Sequence, residues 1–164
     1  KIDPDQVVAI TAKVTRAAKA YPGCDYAGPF SRVLQAKMSI HYAVASAILG
    51  KKIDETSYRR LDDPALLALA GKVTAEVDDG LTAAFPKKQG AEVAVRMKDG
   101  RTLSRRLDDV IPADIALIRR RFEGAATAAV GSAHAMALAS EVAALDRSAD
   151  AGSLMRLAMP AGKA

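Results

Sequence analysis

The 164-residue chain has no tryptophan, three phenylalanines and four tyrosines, so aromatic residues are only 4% of it. Large aromatic packing units are scarce, and about a fifth of the positions are alanine. That composition favours helices packed closely together. The single cysteine, Cys24, cannot form an internal disulfide, which excludes a stapled secreted scaffold. No apolar run approaches the roughly 18 residues of a membrane span. The opening Lys1-Ile2-Asp3-Pro4-Asp5 is not a signal peptide. Lacking a methionine, it reads as cut from something longer, with a cytoplasmic setting expected. There are only two histidines, His41 and His134, about 90 residues apart by sequence number. They form no ligand-spaced cluster with Cys or Asp, so no metal site is expected. No glycine-rich phosphate loop is present. The charge excess of one sign is small, +5. The dense basic runs Arg105-Arg106 and Arg119-Arg120-Arg121 stand beside Asp108, Asp109, Asp114 and Glu123. They read as solvated faces, with an anion or nucleic-acid site as the alternative, and no nucleic-acid partner is the expectation adopted.

What is present suggests an α+β fold: a small mixed sheet with a β-hairpin at about 91–108, packed by helices, and a helical C-terminus. The whole of 1–164 is expected to be one α+β domain. Residues 6–15 predict a strand with Val8, Ile10, Ala12 and Val14 on one face. A long loop, Ala20 to Arg32, holds Tyr21, Cys24, Tyr26 and Phe30 among prolines and glycines, the kind of loop that more often serves an interface or a site. One helix is predicted from Val33 to Leu49, apolar nearly all round and hence buried. Its wheel groups Ala36, Ile40, Ala43, Val44, Ala47 and Ile48. Asp54 to Tyr58 suggests a helical turn. Asp63-Pro64 marks the start of a helix to about Lys72. Val73 to Asp78 reads as a short strand, and Asp79 to Gly90 as a loop. Asp99-Gly100 is expected to turn the hairpin with two positive φ angles. Beyond it lie a helix from Asp114 to Glu123 broken by Gly124, another from about Ala125 to Leu145, and a last one at about 150–159.

The segment Lys37-Met38-Ser39-Ile40-His41-Tyr42 carries the chemistry. Lys37 and His41 are i,i+4 neighbours, and Ser39 and Tyr42 are i,i+3 neighbours. Burying such groups without partners costs several kcal/mol in all, on the order of 2 or more each. Either they pair with protein and pin the helix, or they face a pocket, whose helix N-terminus would suit a carboxylate. A Cys24–His41 nucleophile pair is a lesser candidate.

The run Gln35-Ala36-Lys37-Met38-Ser39-Ile40-His41-Tyr42-Ala43-Val44-Ala45 resembles the A-x-x-S-x-x-Y-x-x-A segment of the MmgE/PrpD family. That family includes 2-methylcitrate dehydratases, cis-aconitate decarboxylases and iminodisuccinate epimerases. Asp63-Pro64 with its Leu-rich helix, and Val93 to Thr102 with Asp99-Gly100, resemble later family segments. The resemblance spans essentially the whole chain, but matches only the smaller α+β domain of proteins that also have a large helical domain. It implies a cofactor-independent lyase or isomerase acting on a small di- or tricarboxylate, incompetent without the missing helical domain, and a homo-oligomer. Tyr42 maps onto the family's catalytic tyrosine, with Lys37, Ser39 and His41 as substrate-binding neighbours. The family's Cys-x-x-x-His pattern is absent. The expectation is that Tyr42 sits at the rim of an interdomain face with its hydroxyl toward solvent or a trapped anion, and that the Tyr21–Phe30 loop and the start of the Lys37 helix lie on that face. The alternative is a non-catalytic domain that binds a small acid or a partner protein.

Overall fold

The computed structural model describes residues 2–51 and 57–159. It divides into two compact units, Lys1–Val110 and Ile111–Ala164.

The first unit is built on a four-stranded mixed sheet in the order β2-β1-β3-β4. The strands are β1 (Val7–Val14), β2 (Val73–Val77), β3 (Ala91–Met97) and β4 (Thr102–Leu107). β1 runs parallel to β2, with Ile10 beside Val73, and antiparallel to β3, with Ile10 beside Val95. Parallel neighbours need a long crossover. It carries α1 (Arg16–Ala20), the aromatic loop, α2 (Val33–Met38), α3 (Ile40–Ile48) and α4 (Pro64–Ala70). Ile10, Ala12, Val73, Val95 and Met97 of the sheet join Ala36, Tyr42, Ala45, Leu66, Leu69 and Ala70 of the helices in one core. The fold class read from the sequence, α+β with a mixed sheet and a helical C-terminus, is the one observed.

Several local expectations change. The register of β1 slips between Val7 and Ala9, so Val7 is buried and Val8 turns outward. A bulge reverses the inside–outside alternation at its own position. The hairpin turn uses one positive φ, at Gly100, not two. Gly100 N–H donates to the Met97 carbonyl at 3.1 Å, which fits a type I turn followed by a left-handed glycine. Asp79–Ala84 forms helix α5 instead of continuing a loop. Asp78 caps it by accepting from Leu81 N–H at 2.8 Å. Of the expected turn over 54–58, residues 54–56 lie outside the described residues, and Ser57–Arg59 is a 3-10 turn.

The predicted helix over 33–49 is two helices. Ser39 breaks it in extended conformation (φ −73°, ψ 123°). Its N–H closes α2 on the Gln35 carbonyl at 3.1 Å, and its hydroxyl oxygen opens α3 by accepting from Tyr42 N–H at 3.0 Å. Ile40 N–H leaves the helical ladder and donates to the Cys24 carbonyl in the loop at 2.9 Å.

The buried face of α3 is also not the apolar one. His41, Tyr42, Ala45 and Ser46 are buried. Ala43, Val44, Ala47 and Ile48 instead line an apolar cleft of about 430 Å³ against Val93, Val95 and Leu103. On the side that takes the core, His41 and Tyr42 find hydrogen-bond partners, while the buried Ser46 hydroxyl has none among the described residues.

The second unit is helical: α6 (Ile115–Val130), α7 (Ser132–Ala143) and α8 (Gly152–Ala158). Gly124 does not interrupt α6. A mid-helix glycine costs only about 1 kcal/mol, which neighbouring turns tolerate. The break falls at Gly131, whose φ of 83° ends the ladder. Among the described residues of this unit only Ala135 is buried, while Ile115, Ile118 and Phe122 form an exposed apolar stripe at helical spacing.

Candidate functional site

The break at Ser39 positions all four of the residues singled out in the sequence. Lys37 stands in the last turn of α2 and is exposed. Its ammonium lies 5.9 Å from the centre of the Tyr58 ring. Ser39 is buried. Besides capping α3, it donates its hydroxyl to the Tyr26 carbonyl at 2.6 Å, so it ties loop to helix.

His41 is 5% exposed. Nε2 faces the Asp25 carboxylate at 2.8 Å and Nδ1 the Ala70 carbonyl at 3.2 Å. Asp25 also lies 3.7 Å from the Lys19 ammonium, which itself donates to the Ala75 carbonyl at 2.7 Å. The ring nitrogens of His41 are thus directed at oxygens. Burial pushes the Cys24 thiol up, which keeps it protonated and a poor nucleophile.

Tyr42 is where the structure departs most from the sequence reading. It is fully buried, not at a rim. Its hydroxyl donates to the Ser57 carbonyl at 2.6 Å, with the Arg60 carbonyl at 3.3 Å. Phe30 meets its ring edge-on at 5.1 Å and Tyr58 stacks on it at 5.7 Å. Tyr26 continues the series, edge-on to Phe30 at 5.5 Å. Phe30 therefore points inward, although Tyr21 at the start of the loop is exposed. The scarcity of aromatics explains the correction: four of the chain's seven collect in one cluster, and Tyr42 is at its centre. Burial, and then the nearby Asp63 carboxylate, push the Tyr42 phenol up, so it remains a donor.

Asp63 is a member of this neighbourhood that the sequence reading saw only as a helix cap. One carboxylate oxygen accepts from Leu66 N–H at 3.1 Å, as an N-cap should. The other pairs with the Lys51 ammonium. Lys51, foremost, and the Leu66 amide hold the Asp63 carboxyl below the usual carboxylate range. The Asp-Pro signature marked the cap, but nothing in the sequence linked it to Lys51.

Among the described residues, no group of three or more His, Cys, Asp or Glu side chains is placed to hold a metal ion, and no helix is long and apolar enough to cross a membrane. The arrangement is an α+β domain whose crossover helix is interrupted by a capping serine, with an exposed lysine on one side of the break and a buried, proton-bearing tyrosine on the other. Within that class the chain belongs to the MmgE/PrpD family: residues 1–147 match the MmgE/PrpD C-terminal domain. No curated protein matches the chain.

Proposed function

We propose that this chain is the smaller domain of a cofactor-independent lyase or isomerase acting on a small di- or tricarboxylate, and that a helical partner domain completes its site. The observation that carries this reading is Lys37. It is the one residue of the four that is exposed, it lies beside the Tyr58–Tyr42 stack, and an ammonium there suits a substrate carboxylate. Ser39 and His41 serve by holding the break and its loop in place. The Tyr42 phenol supplies a proton or a hydrogen bond once domain docking shifts the Ser57–Arg60 turn that now engages it. The helical unit supports the need for a partner. Among its described positions only Ala135 is buried, and Ile115, Ile118 and Phe122 are exposed at helical spacing, apolar surface that a further domain can take up.

The test has two arms. The 164-residue chain alone is incubated with 2-methylcitrate and cis-aconitate, and no turnover is expected, because one phenol cannot serve as both acid and base. The chain joined to a helical domain of its family is expected to turn over such an acid, with Lys37→Ala lowering kcat/KM by about tenfold or more. Turnover by the chain alone, or an unaffected Lys37→Ala enzyme, refutes the proposal. A second reading, a non-catalytic small-acid-binding domain, draws on the pairing of the Ser39, His41 and Tyr42 polar atoms within the chain. It is favoured if the joined protein binds a tricarboxylate through Lys37 without converting it.

A further inference from the structure

The two outer strands of the sheet are finished differently. At β2 the Lys19 ammonium reaches from α1 and takes the Ala75 carbonyl at 2.7 Å, which blunts that edge. At β4 every residue from Thr102 to Leu107 is exposed, and among the described residues β3 is the only strand beside it. Met97 N–H donates to the Arg101 carbonyl at 2.9 Å, so those two form a hydrogen-bonded pair. In an antiparallel ladder such pairs alternate with non-bonded ones. The main chain of Leu103, Arg105 and Leu107 therefore faces β3, and that of Thr102, Ser104 and Arg106 faces outward. Among the described residues, nothing in the chain bonds to those outward groups.

Charge does not guard this edge. The Arg106 guanidinium is drawn over the sheet to Asp78 at 3.0 Å, Glu92 at 3.3 Å and Asp108 at 3.0 Å. Leu103 and Leu107 stand exposed on the opposite face of the strand, and Leu103 also borders the apolar cleft beside α3.

An antiparallel copy of the same strand fits here. A two-fold axis normal to the sheet keeps each face on its own side, so only residues that face the same way can stand opposite each other. With the axis at Ser104, Ser104 meets itself, Thr102 meets Arg106, Leu103 meets Arg105 and Leu107 meets Arg101. The outward groups of all three residues then find partners, in about six main-chain hydrogen bonds. Each leucine lies along the aliphatic stem of an arginine. Moving the axis one residue back sets Arg101 against Arg105, and one residue forward sets Arg105 against itself. Like charges directly opposite are destabilising, and larger shifts leave most of the strand unpaired.

We propose that β4 is a self-association edge: two copies of this chain pair β4 to β4, antiparallel and centred on Ser104, and run their sheets together into one. An edge contact of this kind is small among specific interfaces, so the association depends on concentration. It is independent of the activity proposed above.

The experiment uses the full chain. Sedimentation is followed from about 10 µM to about 1 mM, with amide exchange measured over the same range. The chain should pass from one copy to two, and exchange of the Ser104 amide should slow in step by about tenfold or more. The Leu103 amide, bonded within the hairpin, should be protected throughout and reports an intact fold. Ser104→Lys, at an exposed position, sets two ammonium groups against each other at the axis. It should weaken association by about tenfold or more while Leu103 stays protected. Ser104→Pro, which removes only an outward N–H from an outer strand, should do the same. A chain that remains a single copy at about 1 mM overturns the proposal. So does a dimer whose Ser104 amide exchanges freely, or one that persists in both variants, because the contact then lies elsewhere, as at the Ile115-Ile118-Phe122 stripe. A Ser104 amide protected equally at every concentration also overturns it, since the edge is then covered from within its own chain.

Discussion

Replacing Tyr42 by phenylalanine removes one oxygen from a fully buried side chain, and the structure sets what that should cost. The hydroxyl donates to the Ser57 carbonyl at 2.6 Å and lies 3.3 Å from that of Arg60. A neutral intramolecular hydrogen bond contributes about 1 kcal/mol, and a carbonyl left without its donor adds up to about another. The ring contacts survive, because phenylalanine keeps the edge-on approach to Phe30 and the stack on Tyr58. The expected destabilisation is therefore about 1–2 kcal/mol, or roughly 3–6 °C in Tm. Urea unfolding followed by tyrosine near-UV dichroism measures it cleanly, since all four tyrosines lie in the first unit. A Tyr42→Phe protein within about 0.3 kcal/mol of the parent would refute the reasoning, because the hydroxyl would then be free of the turn.

The same group has a pH signature. Burial, with Asp63 adding to it, holds the folded phenol above its unfolded value of about 10, so the folded state keeps the proton longer. The associated stability is present below that pH and is lost as pH rises through the folded value. In an alkaline absorbance titration one phenol should ionise only with unfolding, and Tyr42→Phe should delete that phase. A titration in which all four phenols ionise before unfolding would place Tyr42 at an accessible rim after all.

Two further outcomes follow from the packing. Asp63→Asn retains a cap for α4 but loses the Lys51 pair; because the folded carboxyl is held low, its contribution is present above the unfolded value and disappears as pH falls through the folded one. The variant should lose about 1 kcal/mol at neutral pH and converge with the parent in acid, and parallel stability–pH curves would count against the pair. Gly90→Ala places a Cβ 2.5 Å from the Leu107 carbonyl oxygen and 2.7 Å from that of Asp108. Backbone cannot yield cheaply there, so a loss of about 2 kcal/mol or more is expected, with amide exchange rising first along β4; an unchanged midpoint would contradict the close approach.

The sequence by itself determined the elements whose signals are local. The Asp63-Pro64 start of α4, the paired arms around Gly100, the strand Val73–Val77 and the family to which the chain belongs all rest on residues adjacent in the chain, where capping, alternation and turn chemistry act over a few positions. Even the break at Ser39 was written there, in a serine three residues before Tyr42, but an apolar wheel drawn through it outweighed the cap. Tertiary structure decided which face of α3 is the core. Periodicity ranks side chains by polarity, and by that measure Ala43, Val44, Ala47 and Ile48 should have gone inside. Whether His41 and Tyr42 can be buried depends instead on partners that the fold brings from elsewhere: the Asp25 carboxylate, the Ala70 carbonyl and the Ser57 carbonyl, lying 15 to 29 residues away along the chain. A polar group's burial is governed by whether its hydrogen bonds are met, and that is a property of the folded chain and not of the residue.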